Sequence, residues 1–387
     1  ICTYPWDTGG YVPRALNLLI GPGTDGLMAA MRSFGLERHS RFAPDGTGTQ
    51  VPYSYNTWAF LNLVWNTACL RGPNPTDFRA ARDTILAIEA GLHRHGVLVD
   101  WGVQHNLLEM RQAGYEHVVP SPNAERAWCF DRLADLAEAL GEPGAPAWRA
   151  QADAIRSAIR EQLWNAETGW FDCLYPDGAR EQVYSIQIFD ALRAGACTPE
   201  IKRRILSHVR DGAFLGEYGV SSVSAEDRAH YELNDPDWSG GGAYTGDGPN
   251  LAQTLWEQGE PDLAWDVLRR HFWMGKHLPY FPQEHYCDRP AVAAHKRANI
   301  VSGIAGAEAV IFGLFGIALG LDGAIRINPS PRPEGEIRLR GLTIRGRRLD
   351  ISLASRALCV HVDGLKTYAG APGAVVVASN QTKRESR

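Results

Sequence analysis

Trp148-Arg149-Ala150-Gln151-Ala152-Asp153-Ala154-Ile155-Arg156-Ser157-Ala158-Ile159-Arg160-Glu161-Gln162-Leu163 carries the reading that decides the fold class. Its apolar residues Trp148, Ala152, Ile155, Ile159 and Leu163 step by four, three, four and four. That spacing lines one face of an α-helix, whereas a strand turns alternate residues to one side. Upstream, Phe130, Leu133, Leu136 and Leu140 repeat the pattern, with Asn123 standing ahead of them as the expected cap. Phe78, Ile85, Ile88 and Leu92 give a third stripe. Downstream, Thr198-Pro199-Glu200 reads as cap, first and second positions of a helix carrying Ile201, Ile205 and Val209. Leu251 to Gln258 stops at Gly259, and Pro261 opens the next helix, so two helices meet at a tight corner.

Between these helices run segments rich in Gly, Pro, Asp and aromatics, at 41–56, 96–122, 165–182, 211–250 and 274–299. Segments of that length inside a compact domain usually carry function. After Leu321 the period changes to two, in Ile325-Arg326-Ile327, Ile337-Arg338-Leu339, Leu342-Thr343-Ile344 and Leu349-Asp350-Ile351. The expectation is a mainly α chain: an (α/α)6 barrel over 1–321, a small antiparallel β-domain over 322–380, and a disordered polar tail over 381–387. An open solenoid would need a fixed repeat length, and none is visible.

Composition narrows the function. The 387 residues are 44% hydrophobic and 21% charged, with a formal net charge of −5. That is an ordinary globular balance without an electrostatic footprint for nucleic acid. Seven cysteines without short repeated spacing argue against a disulfide scaffold and lean towards a reducing, cytoplasmic setting. No charged and then apolar leader opens the chain at Ile1. His277, His285, Cys287 and His295 crowd together but match no zinc spacing, so neither a metal nor a cofactor is expected. Ile300 to Leu321 is apolar and long enough to span a bilayer. It holds five glycines and Glu308 near its middle. A carboxylate there costs about 2.5–3.5 kcal/mol on insertion, so a buried helix and no membrane partner are expected.

Several stretches resemble the six-hairpin glycosidase superfamily, which includes glucoamylases, trehalases, processing α-glucosidase I with its bacterial relatives, and maltose-type phosphorylases. Tyr4-Pro5-Trp6-Asp7 ahead of an apolar helix is similar to the aromatic-Trp-Asp element of these barrels, whose Asp holds sugar hydroxyls. Leu163-Trp164-Asn165-Ala166-Glu167-Thr168-Gly169-Trp170-Phe171-Asp172 resembles their Leu-Trp-acidic-x-x-Thr-Gly turn. Tyr218 to Ser224, then Trp238 and Tyr244 to Gly259, look like the approach to their late hairpin. Phe281-Pro282-Gln283-Glu284-His285-Tyr286 stands where the superfamily often places its catalytic base, and Ile325 to Leu353 is similar to the C-terminal sheet of phosphorylases and rhamnosidases. One departure matters. The α-glucosidase I relatives carry Gly-Met-Asp-Asn-Ser-Pro around their proton donor, whereas this chain reads Val99-Asp100-Trp101-Gly102-Val103-Gln104-His105-Asn106. The expected Asp falls near Gln104, so the donor does not carry across.

Glycoside hydrolysis needs a carboxylic acid to protonate the leaving oxygen and a carboxylate to activate water or attack carbon. Glu284, on an aromatic segment with Tyr280, Phe281 and Tyr286, suits the base. Asp100, set among Val97, Leu98, Val99 and Trp101, suits the donor, because an apolar setting favours a protonated carboxyl. Asp247, in Tyr244-Thr245-Gly246-Asp247-Gly248-Pro249, is its rival, and Glu109 trails both. Asp7 is expected to bind sugar hydroxyls, or else to cap the helix that follows. Trp6, Trp58, Trp101, Trp238 and Tyr244 are the stacking candidates, each to be weighed against a core role. Gly240-Gly241-Gly242 lacks the flanking strand and Gly-Lys-Ser/Thr of a phosphate cradle and reads as a turn. The leading expectation is an exo-acting, inverting glycoside hydrolase on a small carbohydrate. A phosphorylase or a rhamnosidase- or uronyl-type hydrolase on the same barrel stands second, and a non-catalytic sugar-binding barrel third.

Overall fold

The computed structural model describes residues 4–49, 52–103, 114–236, 240–330 and 335–378. Twelve α-helices are placed among them: α1 Pro13–Ile20, α2 Thr24–Ser33, α3 Asn56–Arg71, α4 Pro75–Gly91, α5 Pro120–Leu140, α6 Ala145–Ala158, α7 Asp190–Arg193, α8 Pro199–Leu206, α9 Asp247–Glu257, α10 Pro261–Arg269, α11 Phe272–His277 and α12 Ile300–Glu308. The stripes read from sequence are the buried faces. Ala152, Ile155, Ile159 and Leu163 are buried along α6 and the wide turn that extends it, and Phe130, Leu133 and Leu136 are buried on α5. Thr198 caps α8 by accepting from the Ile201 amide.

Two local expectations are corrected. Asn123 does not cap α5. Val119 does, because Pro120 and Pro122 fit a first turn whose amides lack helical partners. Asn123 lies one turn inside, where its side chain accepts from the Val99 amide at 2.8 Å and donates to the Val99 carbonyl at 3.1 Å. The apolar segment from Ile300 is also not one helix to Leu321. It is helical to Glu308, continues as a wide turn over Ala309–Leu314, and becomes a strand at Ile317–Leu319. Gly316 forces the break: its φ is +60°, and an added Cβ would lie 2.0 Å from the Asn328 carbonyl oxygen. Among the described residues no helix is long and apolar enough to cross a membrane.

Packing follows a ring. Helix α1 contacts α3, α3 contacts α5, α5 contacts α7, α7 contacts α9, α9 contacts α12, and α12 returns to α1. Helices α4, α6 and α10 lie against α3, α5 and α9. The links leaving ring helices are short, at 21–23, 72–74, 141–144, 194–198 and 258–260. The segments entering them are long, at 34–55, 92–119, 207–246 and 278–299. The long segments therefore collect at the N-terminal ends of the ring helices. We call that end the mouth.

The C-terminal part is β-structure. Strands 317–319, 325–327 and 375–377 form one antiparallel sheet, and 336–344, 347–354, 357–362 and 365–370 form an antiparallel meander. Their inner residues, including Ile327, Leu349, Leu353 and Val360, make a separate core. The first of these strands begins ahead of residue 322.

Gly9 shows how tightly the opening turn, Trp6–Gly10, sits on α3: a Cβ there would lie 1.8 Å from the Ala59 carbonyl oxygen. Gly9→Ala should lower the urea midpoint, with a loss of about 1–3 kcal/mol typical of overpacking. An unchanged midpoint would show that the turn is free to move off α3.

Candidate active site

Two short strands build the centre of the mouth. Gly242–Tyr244 pairs antiparallel with Glu284–Tyr286, with Tyr244 opposite Glu284. The first strand runs into α9 and the second belongs to the segment that enters α12, so the pairing joins the starts of two neighbouring ring helices. Gly240-Gly241-Gly242 is thus no loose turn. Cβ atoms at Gly241 and Gly242 would strike the carbonyl oxygens of Leu233 and His285 at 1.9 and 1.7 Å. Glu284 is 2% exposed, and His295 Nε2 lies 2.8 Å from its Oε2. Beneath the ladder, His285 and His271 stand 4.9 Å apart. Burial lowers both, His271 to about 4, so both rings are neutral at pH 7.

The opening turn delivers the second wall. The Trp6 ring lies 5.2 Å from Tyr11, 4.8 Å from Tyr55 and 5.0 Å from Trp58. Tyr11 in turn lies 5.0 Å from Tyr244, and its hydroxyl donates to Asp247 Oδ1. Asp7, half-buried beside Trp6, is pushed up to about 6 by desolvation. Trp6, Tyr11, Gln187, Asp190 and Asp247 line a small cavity of about 20 Å³. Glu284, Tyr244, Asp247, Trp6 and Asp7 thus belong to one connected set. Of the stacking candidates, Trp58 at 2% exposed and Trp6 and Tyr244 at 4% each all belong to the buried core.

Asp100 and Trp101 sit elsewhere on the mouth. Asp100 ends a hairpin of 93–95 and 98–100. It accepts from the Gly102 amide at 2.7 Å, and His117 Nδ1 lies 3.0 Å away. Trp101 packs on the satellite cluster of Tyr115, Val119, Cys173 and Val183. Arg126 anchors this hairpin. It holds Glu89 by two bonds of 2.6 and 2.8 Å and donates to the Val97 carbonyl at 3.1 Å. Burial alone would raise Glu89, but Arg126 and Arg94 hold its carboxyl below the usual range. Trp238, Gln104 and Glu109, like the tail at 381–387, lie outside the described residues.

An acidic pair that no sequence pattern announces joins α5 to the start of α7. Glu125 on α5 is 2% exposed, and burial, then the charge of Asp190, push it well above the carboxylate range. Asp190, at the start of α7, is raised to about 6 by burial against the pull of Arg193, whose Nη1 lies 3.7 Å away. A lone Glu on a helix face gives no signal of this, since its neighbour arrives from 65 positions along the chain.

Residues 91–241 match the mannosylglycerate hydrolase MGH1-like glycoside hydrolase domain. Solved structures with similar folds include a GH78 family rhamnosidase from a Bacillus species, at TM-score 0.67 and 16% identity over 91% of this chain and 36% of that one. A GH63 mannosylglycerate hydrolase from Thermus thermophilus aligns at TM-score 0.58 and 13% identity, over 80% of this chain and 92% of that one. Neutral trehalase from Saccharomyces cerevisiae aligns at 0.54 and 13%, over 80% and 72%.

The chain shares its fold with these glycosidases. It carries a glycoside hydrolase domain over the matched residues, and it spans about a third of the rhamnosidase's length. No curated protein sequence matches it significantly. The matched span runs from the hairpin of Asp100 through α5 to Gly241, just short of the Tyr244 strand.

The acidic pair makes stability depend on pH. A carboxyl raised in the folded state binds its proton more tightly there than in the unfolded chain, so stability falls as pH climbs from about 4 through the folded value. For Asp190 the window closes above about 6. Asp190→Asn should flatten the decline between about pH 4 and pH 7 by on the order of 2 kcal/mol, read by denaturant melts at each pH. An identical decline in the variant would show that Asp190 is not the group responsible.

Proposed function

We propose that the chain is an exo-acting, inverting glycoside hydrolase for a small glycoside or oligosaccharide end, with Glu284 as general base. The carrying observation is the placement of Glu284: buried, opposite Tyr244 in a two-strand ladder, and beside the Trp6–Tyr11–Asp247 wall. On this reading the ring of helices is a closed (α/α)6 barrel and the mouth is its sugar pocket. The similarity to hydrolases of mannosylglycerate, trehalose and rhamnosides supports a carbohydrate substrate without choosing among sugars.

Roles follow from chemistry. Water between Glu284 and the anomeric carbon loses its proton to the carboxylate as the carbon–oxygen bond to the leaving group breaks. Asp7 and Asp247 accept from the sugar hydroxyls, with the buried rings of Trp6 and Tyr244 packed behind them. The leaving oxygen takes a proton from an acid on another loop. We assign that role to Asp100, on the segment entering α5, because its sequence neighbours Leu98 and Val99 are apolar and buried; the superfamily resemblance does not itself carry the donor to this position. Asp247 is the rival, being three residues from the partner of Glu284. A phosphorylase would replace the basic carboxylate with phosphate, so Glu284 favours hydrolysis.

Glu284→Gln should cut kcat about 10²–10⁴-fold while leaving substrate binding intact. Asp100→Asn should slow poor leaving groups far more than activated aryl glycosides, because only the former need protonation. Equal losses on both would remove Asp100 from the role, and a leaving-group-selective loss in Asp247→Asn would transfer it. Full activity in Glu284→Gln would overturn the base assignment.

A further inference from the structure

A second cavity in the helical part is far roomier than the small one at the mouth. A space of about 340 Å³ lies inside the ring, with Trp65 and Asn66 of α3, Trp128 and Arg132 of α5, and Gln253 and Glu257 of α9 in its wall. Ala194 and Gly195, from the short link after α7, and Glu308, at the end of α12, complete it. Pro13 and Arg14 at the start of α1 and Asn250 at the start of α9 also line it, so the cavity lies inside the ring and reaches towards the mouth. From Trp58 near the mouth to Asn66 is roughly 12 Å along the α3 axis.

We propose that this cavity is a second binding site, for a neutral polyhydroxylated ligand of monosaccharide size. Its volume falls within the ~300–1,000 Å³ of small-molecule pockets. Its chemistry is that of hydroxyl recognition. Two indoles give apolar faces; Asn66 Nδ2 donates to Asn62 and Gln253 Nε2 to Glu257, so the amide oxygens of Asn66 and Gln253, with the carboxylates of Asp131 and Glu257, give directional acceptors for ligand hydroxyls. Arg132 lies 4.6 and 5.7 Å from the Trp65 and Trp128 ring centroids, and its buried Nε–H finds no acceptor among the described residues.

An anion is the wrong occupant, because every arginine in the wall already faces a carboxylate. Arg14 bonds Glu308 at 2.7 Å, Arg132 lies 3.1 Å from Asp135, Arg156 pairs with Asp131, and Arg193 lies 3.7 Å from both Asp190 and Glu257. Net attraction for negative charge is thereby cancelled, while hydrogen-bonding directionality remains. Tyr11 and Asn250 line this cavity and the small one at the mouth, so the two sites share a wall. Occupancy of one should therefore register at the other through Tyr11 and its partner Asp247.

The test is direct binding of glucose, mannose, rhamnose and glycerol by calorimetry, with crystals of the wild type soaked in the same panel. At least one member should occupy the cavity in the crystal. Its affinity should drop at least tenfold in Asn66→Ala/Gln253→Ala and stay unchanged in the mouth variant Asp7→Ala. The soak reads the site without any variant, and neither readout depends on hydrolysis, so failure of the catalytic proposal would leave this result standing. A cavity that admits no member of the panel would overturn the proposal. So would binding abolished by Asp7→Ala and untouched in the paired variant.

Discussion

The buried carboxylate of Glu308 joins the last ring helix to the first. Its Oε2 accepts from the Ala15 amide at 2.6 Å and its Oε1 from Arg14 Nε at 2.7 Å. One of the amides left open at the N-terminus of α1 is satisfied by a residue nearly three hundred positions later. Burial pushes this carboxyl up, opposed by the Arg14 charge and the Ala15 amide. An uncompensated carboxylate here would be costly, and the two donors offset that cost. Because α1 is thus fixed against α12, the turn that precedes α1 lies against the strand that precedes α9. That is how Trp6 and Tyr11 reach Tyr244 and Asp247.

Local features were legible in the sequence where local physics decides them. The stripes on α5 and α6, the Thr198 cap, the Gly259–Pro261 corner and the strands at 325–351 all follow from periodicity and backbone preference. Asn123 misled because its amide serves a strand 24 positions back, a tertiary use that outweighs capping preference. The stripe on α4 misled more subtly. Phe78 and Ile85 are buried as expected, but Glu89 takes a buried place on that face because Arg126 neutralises it.

The candidate site was legible in part. Glu284, Asp247, Asp7, Trp6 and Tyr244 were singled out from short motifs, and they form one connected set. Tyr11, Glu125 and Asp190 carry no sequence signal, and His295 shows only as one of a cluster of histidines, because each depends on a partner supplied by folding: Asp247 for Tyr11, Glu284 for His295, and one another for the acidic pair. Asp100 illustrates the converse. Its apolar sequence neighbours do point inward, with Leu98 and Val99 fully buried, yet the carboxyl itself is half-buried and met by His117 and the Gly102 amide. A hydrophobic sequence context fixes where the backbone goes, not what the side chain meets.

The central claim is that Glu284 activates the nucleophile at the anomeric carbon. Azide rescue of Glu284→Ala with an activated glycosyl donor tests it most directly, since a small anion can take the place of the missing carboxylate and its water. If Glu284 is the base of an inverting enzyme, azide restores turnover and yields a glycosyl azide of anomeric configuration opposite to the substrate. A variant that retains hydrolysis without azide, or that azide cannot rescue although substrate still binds, would contradict the account.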